Sequence, residues 1–142
     1  MTTNENYKIL GKYIKDMSSE TPVLETFLFV RDYISKYQLD IEINSKALKN
    51  KIIEINTIFK FQDKNDSKKK AYFEIIYATI IKINDEINDK KILGKIVLSD
   101  VQNEIYPDLE KSFLNMLHNS GYPGVKLENK INFEKLYNEK FN

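Results

Sequence analysis

Apolar residues recur at every second position along two segments in the middle of the chain. The first runs from residue 51 to 61 and the second from residue 71 to 83. A period of two is typical of strands that bury one face. The pattern therefore predicts two strands, joined by an exposed and wholly polar loop at residues 62–70. The second segment has apolar groups on both faces: Phe73, Ile75 and Tyr77 on one, Tyr72 and Ile76 on the other.

Two further segments have weaker strand patterns. Residues 39–43 alternate between apolar and polar groups and predict a shorter strand. Residues 7–19 fit two structures. An extended segment suits Tyr7, Ile9, Tyr13 and Met17, whereas a helical spacing can also be drawn through Ile9, Leu10 and Tyr13.

Beyond residue 85 the apolar spacing changes to three and four, which indicates amphipathic helices. The long helical region ends before Gly121 and Pro123, since these residues commonly stop helices. Asn132 is a suitable N-cap for a last short helix. Strands followed by helices predict an α+β fold, an antiparallel sheet with the C-terminal helices packed on one face. The apolar positions are Ile92, Ile96, Val97, Ile105, Leu109, Phe113, Met116 and Leu117 in the long region, and Phe133, Leu136 and Tyr137 in the last helix.

Composition narrows the class of protein. The 142 residues contain no Gly-, Pro- or Ser-rich linker and no repeat, so a single domain spanning residues 1–142 is expected. The lack of Cys excludes disulfides and thiolate metal sites. The net charge is +1, so no overall field attracts nucleic acid or anionic lipid. The polar start and the absence of a long apolar run predict a cytoplasmic protein without direct membrane insertion.

No recognisable catalytic arrangement is present. The single histidine, His118, falls in the predicted last turn of the long helix, where a cation meets the helix dipole favourably, so we expect a structural role. The glycines are not spaced as in nucleotide-binding loops, and carboxylate pairs such as Asp40 and Glu42 fit a solvated surface. The lysines at residues 68–70 have acidic neighbours and no interleaved aromatics, which favours a solvated loop over a phosphate contact. We therefore expect no enzyme activity, no cofactor, no metal and no nucleic acid.

Residues 22–37 contain more apolar and aromatic groups than a connection between strands usually does. Two interpretations carry similar weight. In one, the segment is part of the core. In the other, it forms the wall of an exposed apolar groove that binds a partner.

Several motifs together resemble the SecB family of export chaperones. Residues 13–22, YIKDMSSETP, are similar to the family's first-strand signature. Two further motifs of this chain resemble the start and the end of the family's long helix, namely NEIYP at 103–107 and SGYP at 120–123. NFEKLY at 132–137 resembles the family's last helix, and LDI at 39–41 and FEI at 73–75 resemble two of its strands. The likeness therefore extends over nearly the whole chain.

The resemblance implies a four-stranded antiparallel sheet with helices on one face, assembled as a homotetramer that is a dimer of dimers. It implies a chaperone without enzymatic activity, which holds unfolded precursor proteins and delivers them to the SecA translocation motor. Three alternatives remain: a SecB-like chaperone dedicated to a toxin–antitoxin system, a small enzyme, and a nucleic-acid-binding module.

The resemblance also implies three sets of functional residues. A groove for client proteins is expected at Phe27, Phe29, Tyr33, Ile34, Tyr122, Phe133 and Leu136. A SecA-binding patch on the sheet is expected at Asp16, Glu20, Tyr72 and Glu74. Contacts between subunits are expected at Tyr13, Phe73, Ile75, Tyr77, Leu109 and Phe113. The two apolar faces of the strand at 71–83 support such contacts, because one set of helices can cover only one of them.

Overall fold

The described residues fold into a four-stranded antiparallel sheet and four α-helices. The computed structural model describes residues 6–63, 70–127 and 131–141. The strands lie in the order β1-β4-β3-β2, so β1 and β2 form the two edges of the sheet. The elements along the chain are β1 (Tyr7–Glu20), α1 (Leu24–Tyr33), β2 (Gln38–Ala47), β3 (Ile52–Gln62), β4 (Tyr72–Ile83), α2 (Lys90–Lys95), α3 (Val101–Asn119) and α4 (Phe133–Phe141).

The predicted strands are confirmed, and the ambiguous segment at residues 7–19 proves to be extended. Strand β2 is longer than the alternation at 39–43 indicates. The sequence did not predict helix α1, which occupies most of the apolar stretch at 22–37 and continues into a short 3-10 turn at Ile34–Lys36. Most of the polar loop predicted at 62–70 lies outside the described residues.

The two faces of the sheet differ in cover. Strand β4 buries its odd-numbered side chains, and β3 does the same from Ile55 onward. This face packs on the helices, for example through Phe59 and Phe113, whose ring centroids lie 5.7 Å apart, edge to face. The even-numbered side chains point to the opposite face, which we call the outer face. Apart from Ala78, these side chains of β3 and β4 stay partly or fully exposed.

Strand β1 carries two irregularities in its pairing with β4. The register shifts between Ile9 and Gly11 and again between Ile14 and Asp16, as in β-bulges. Lys12 consequently faces the helices, where its Nζ donates to a carboxylate oxygen of Asp108 on α3 at 2.8 Å.

A π-turn at Ile96–Asp100 connects α2 to α3 without a break in helical backbone. The side chain of Gln102 is completely buried beside it. Its amide nitrogen donates to the carbonyl of Val97 at 3.1 Å, and its oxygen accepts from the hydroxyl of Thr57 on β3 at 2.8 Å. These bonds satisfy buried polar groups and join the irregular turn to the sheet.

Helix α3 ends at Asn119, before Gly121, as predicted. The amide of Gly121 donates to the carbonyl of His118, and the amide of Tyr122 donates to that of Leu117, the paired bonds of a Schellman motif. Asn132 caps α4, since its side-chain oxygen accepts from the amide of Lys135 at 2.9 Å.

Candidate functional site

An open groove lies where the start of β2 meets the chain that follows helix α3. Its volume is about 750 Å³. Apolar side chains and polar groups from four parts of the chain line it in similar proportion. The lining residues are Ile34, Ser35, Tyr37, Gln38, Leu39, Asp40, Ile41, Phe61, Gly124, Val125, Lys126, Leu127 and Ile131.

Two polar anchors hold the walls of the groove. The hydroxyl of Tyr37 donates to the carbonyl of Ala71 at 3.2 Å and accepts from its amide at 3.0 Å, which ties the residue before β2 to the residue before β4. On the other wall, Nε2 of His118 lies 3.0 Å from the carbonyl oxygen of Val125. The predicted structural role of His118 therefore has a defined contact, because this bond positions the segment after α3.

Strand β2 forms one side of the groove and is also an edge of the sheet. It pairs with β3 along its whole length, and within the described residues no strand pairs with its other side. An edge strand presents unpaired backbone N–H and C=O groups. The groove thus combines apolar side chains with a free strand edge.

Only one of the predicted groove residues lines this groove, namely Ile34. Phe29 and Tyr33 stack on each other on α1 with ring centroids 4.5 Å apart, and Tyr33 stays 42% exposed, but they lie outside the lining. Leu136 on α4 is also exposed and also lies outside it. The structure therefore does not bring the predicted set together at one place.

The expectation that Tyr122 and Phe133 remain accessible is wrong. Tyr122 is 3% exposed, because its ring packs between Phe27 and Phe73 and its hydroxyl lies 2.9 Å from that of Thr21. Phe133 is 2% exposed, because α4 presses it onto the ring of Tyr106. Both belong to the core, and Phe27 is the half-buried neighbour that covers Tyr122.

Sequence reasoning missed most of the lining. Leu39 and Ile41 alternate on a strand whose place at the sheet edge is visible only in the fold. The connection after α3 contributes Val125, Leu127 and Ile131. The only sequence pattern that could have pointed to this part of the lining is the two-residue spacing of Val125 and Leu127.

The predicted carboxylate patch, by contrast, is assembled on the outer face where β1 pairs with β4. Glu20 lies opposite Tyr72, and the next row along the strands places Ser18 opposite Glu74. Asp16 lies opposite Ile76, one row further. Paired residues in an antiparallel ladder point to the same face, so the four predicted side chains share one surface.

Burial and the neighbouring carboxylates both affect the pKa of Tyr72. Its hydroxyl donates to Oε2 of Glu74. Partial burial, this hydrogen bond and the negative charges of Glu74, Glu20 and Asp16 raise the pKa of Tyr72 to about 12. A neighbouring anion opposes loss of the phenolic proton, so the shift has the direction that clustered carboxylates produce.

The predicted subunit contacts need correction. Five of the residues lie inside a single chain and offer no surface to a partner: Phe73, Ile75, Tyr77, Leu109 and Phe113. They face the interior between sheet and helices, so a charge at Phe73 would unfold the chain instead of loosening an assembly. Tyr13 alone is on the surface, 45% exposed on the edge strand β1.

Metal sites and membrane spans are both missing from the part of the chain that the structure describes. No group of three or more His, Asp or Glu side chains there is arranged to hold a metal ion. None of the helices there combines the length and the apolar character that a membrane crossing requires.

Comparison with known proteins assigns the chain to a family. A sequence profile described as Preprotein translocase subunit SecB matches residues 1–142. A relative from Pelagibacter ubique (strain HTCC1062), which carries the name of a protein-export protein SecB, is 59% identical over 138 residues, 97% of this chain and 99% of the relative. The protein-export protein SecB of Mesorhizobium japonicum is 20% identical over 132 residues, 93% of this chain and 77% of that protein.

A solved structure also resembles this fold. It is a SecB-like chaperone of Mycobacterium tuberculosis in complex with a ChAD peptide from an antitoxin, and it superposes with a TM-score of 0.64. The two chains are 12% identical, and the superposition covers 88% of this chain and 91% of the other. At this identity the likeness concerns the fold alone.

Proposed function

The chain belongs to the SecB family of protein-export chaperones, and on that premise we propose that it holds unfolded precursor proteins and delivers them to the SecA translocation motor in the cytoplasm. The open groove of about 750 Å³ beside the free edge of β2 is the observation that carries this proposal.

The groove suits an extended and unfolded chain for two physical reasons. An apolar client side chain that becomes fully buried contributes roughly 1.5–3 kcal/mol, whatever its neighbours in sequence, so many clients can bind. The client backbone can add to the edge of β2 as a further strand, through hydrogen bonds that are also independent of sequence. Specificity for the unfolded state follows, because a folded protein offers neither an extended backbone nor enough accessible apolar groups.

The groove is tested by removing apolar groups from its wall. We expect Leu127→Ser with Ile131→Ser to weaken binding of an unfolded, labelled precursor at least about tenfold, since two apolar contacts are lost. The matched control is Leu24→Ser with Ile92→Ser, which removes apolar groups of similar size that are exposed elsewhere. Fluorescence anisotropy gives the affinity, and circular dichroism verifies that both variants remain folded. Equal affinity in the two folded variants would contradict the groove.

The same binding experiment also tests the exposed aromatic pair on α1, Phe29 and Tyr33. Phe29→Ala with Tyr33→Ala leaves the groove intact but removes an exposed stack. If client binding weakens, the client site extends from the groove over α1. If it does not, these two residues are no part of the client site.

We further propose that Asp16, Glu20, Tyr72 and Glu74 bind a basic tail of SecA. Charge complementarity of this kind sets partner choice and association rate. Asp16→Lys with Glu74→Lys should abolish binding of purified SecA and leave client holding unchanged, because neither residue lines the groove. The matched control, Asp85→Lys with Glu86→Lys, makes the same charge change in the exposed turn after β4 and should retain SecA binding. A wild-type affinity in the first variant would overturn the assignment.

The range of clients decides between general export and a dedicated role. Mass spectrometry of polypeptides captured by the purified assembly should identify precursors that carry signal sequences. A single dominant small antitoxin among the captured chains would instead support a chaperone dedicated to a toxin–antitoxin system.

A further inference from the structure

Charges on the outer face are segregated along the strands, although the whole chain has a net charge of only +1. One half, which we call the acidic half, contains one Lys among carboxylates from three strands. Its charged residues are Asp16 and Glu20 on β1, Glu74 on β4, Lys60 on β3, and Asp40 and Glu42 on β2.

The other half, which we call the cationic half, has the reverse composition. Lys8 and Lys82 lie directly opposite each other in the β1–β4 ladder, and Lys46 lies opposite Glu54 at the far edge. Glu54 is already engaged, because Nζ of Lys15 reaches across β4 to within 2.5 Å of its carboxylate. No described carboxylate lies within ion-pair distance of Lys8, Lys46 or Lys82.

The juxtaposition of Lys8 and Lys82 is unfavourable for folding by itself. Like charges directly opposite each other on one face of an antiparallel pair are destabilising. Neither lysine forms an ion pair within the described part of the chain, so an anionic group from outside the chain can offset their repulsion.

Uncharged residues separate the two halves. The row between them contains Tyr13 on β1, Ala78 on β4, Asn56 on β3 and Asn44 on β2. The centres of the acidic half and the cationic half lie about six residues apart along a strand, a distance of roughly 20 Å. An extended polypeptide of about ten residues can therefore reach both halves at once.

We propose that the cationic half is a second contact site for the partner that the acidic half binds, and that it takes an acidic segment of that partner's tail. This inference rests on the proposed partner site on the acidic half. The partner segment then carries a basic cluster and an acidic cluster whose centres are about six residues apart in an extended chain. Joining two weak contacts in one segment strengthens binding, because the second contact forms at a high effective concentration.

Three designed peptides test the proposal, and their design does not depend on the partner's sequence. The bipartite probe has four Lys, then Gly-Ser, then four Glu. The matched basic probe replaces the four Glu by four Gln, and the matched acidic probe replaces the four Lys by four Gln. On the wild-type protein at low salt, we expect the bipartite probe to bind about fivefold more tightly than the basic probe. The advantage should vanish at 1 M salt, where the screening length is about 3 Å.

The variant Lys8→Glu with Lys82→Glu should remove this advantage. It replaces one like-charge pair by another, so folding should be little affected. The matched control, Lys90→Glu with Lys95→Glu, makes the same charge change on exposed positions of α2 and should keep the fivefold ratio. Because each protein is compared with itself on two probes, effects of its overall charge on the ratio largely cancel.

Each outcome bears on one proposal. A ratio of one on the wild type, or a ratio that survives in the Lys8 and Lys82 variant, overturns the second contact site. A change in assembly mass in that variant without a change in the ratio also overturns it, because the lysines would then join copies of the chain. Undiminished binding of the basic probe to Asp16→Lys with Glu74→Lys would instead overturn the proposed site on the acidic half.

Discussion

Gly121 adopts a backbone conformation at the end of α3 that few other residues tolerate. Its φ is +105°, in the region that favours glycine, and a Cβ there would lie 2.6 Å from Cε1 of Phe27. Both the backbone and the packing of α1 on the helix end therefore require glycine at this position.

We expect Gly121→Ala to lower the free energy of unfolding by about 1–3 kcal/mol, since a strained backbone and a displaced aromatic ring both oppose the folded state. Gly124→Ala is the matched control, because a Cβ at Gly124 would meet nothing within 4 Å. Urea denaturation measures both variants. Similar midpoints for the two would contradict this account of the helix end.

Tyr72 gives the acidic half a measurable pH response. Its folded pKa is about 12, above the ordinary value of 10.0. The stabilisation linked to its proton is therefore fully present below pH 10 and is lost as the pH rises towards 12. We expect Tyr72→Phe to remove one phenol that titrates near pH 12 in ultraviolet absorption and to flatten the fall in stability over that window. Glu74→Gln should shift the same titration to lower pH, and an unshifted titration would contradict the assigned cause.

At the level of elements, strands were easier to predict than helices in this chain. Strands β3 and β4 bury one face completely, so their side chains alternate clearly. Helix α1 escaped prediction because its apolar residues are spread around the helix, with Leu24 and Leu28 exposed and Val30 buried. Its first turn also has no side-chain cap at Val23, so no start signal marks it.

The candidate sites show where sequence reasoning stops. The carboxylate patch was found through family resemblance, since the pairing of β1 with β4 joins distant segments across two register shifts. The groove arises where the edge strand β2 meets the segment after α3, and residue spacing does not encode such a meeting. Aromatic character led to Tyr122 and Phe133, but it cannot distinguish a binding wall from a core.

The buried bond between Thr57 and Gln102 couples the sheet to the π-turn. Thr57→Val leaves the Gln102 oxygen buried without a donor, and we expect a loss of about 1–3 kcal/mol in unfolding free energy. Thr79→Val is the matched control, because the Thr79 hydroxyl is equally buried on the same face and has no hydrogen-bond partner among the described residues. Its replacement should be neutral or stabilising. Equal losses in the two variants would show that the bond contributes nothing specific.

At the level of the whole molecule, the exposed apolar groups on β1 support the proposed homotetramer. Ile14 and Met17 lie on the helical side of this edge strand, yet they are 42% and 48% exposed. Pairing of β1 with its counterpart in a second chain would cover both the strand edge and these side chains.

We expect light scattering to give an assembly of about four times 16.8 kDa. Ile14→Asp with Met17→Asp should reduce the mass, because two charges would be buried at the strand pair. The control, Leu24→Asp with Ile92→Asp, places the same charges on other exposed apolar positions and should leave the mass unchanged. A wild-type monomer at micromolar concentration would contradict the assembly, and equal masses for the two variants would exclude β1 from its interface.

The open edge of β2 has a consequence for the protein's own solubility. Most proteins shorten, cover or charge such an edge, because an unpaired strand beside apolar side chains is a template for aggregation. This chain leaves ten residues, Gln38–Ala47, unpaired on one side within the described structure. The edge that we propose as a client site is thus open to the same hazard, because the backbone groups that could pair with a client strand could also pair with a second copy of the chain.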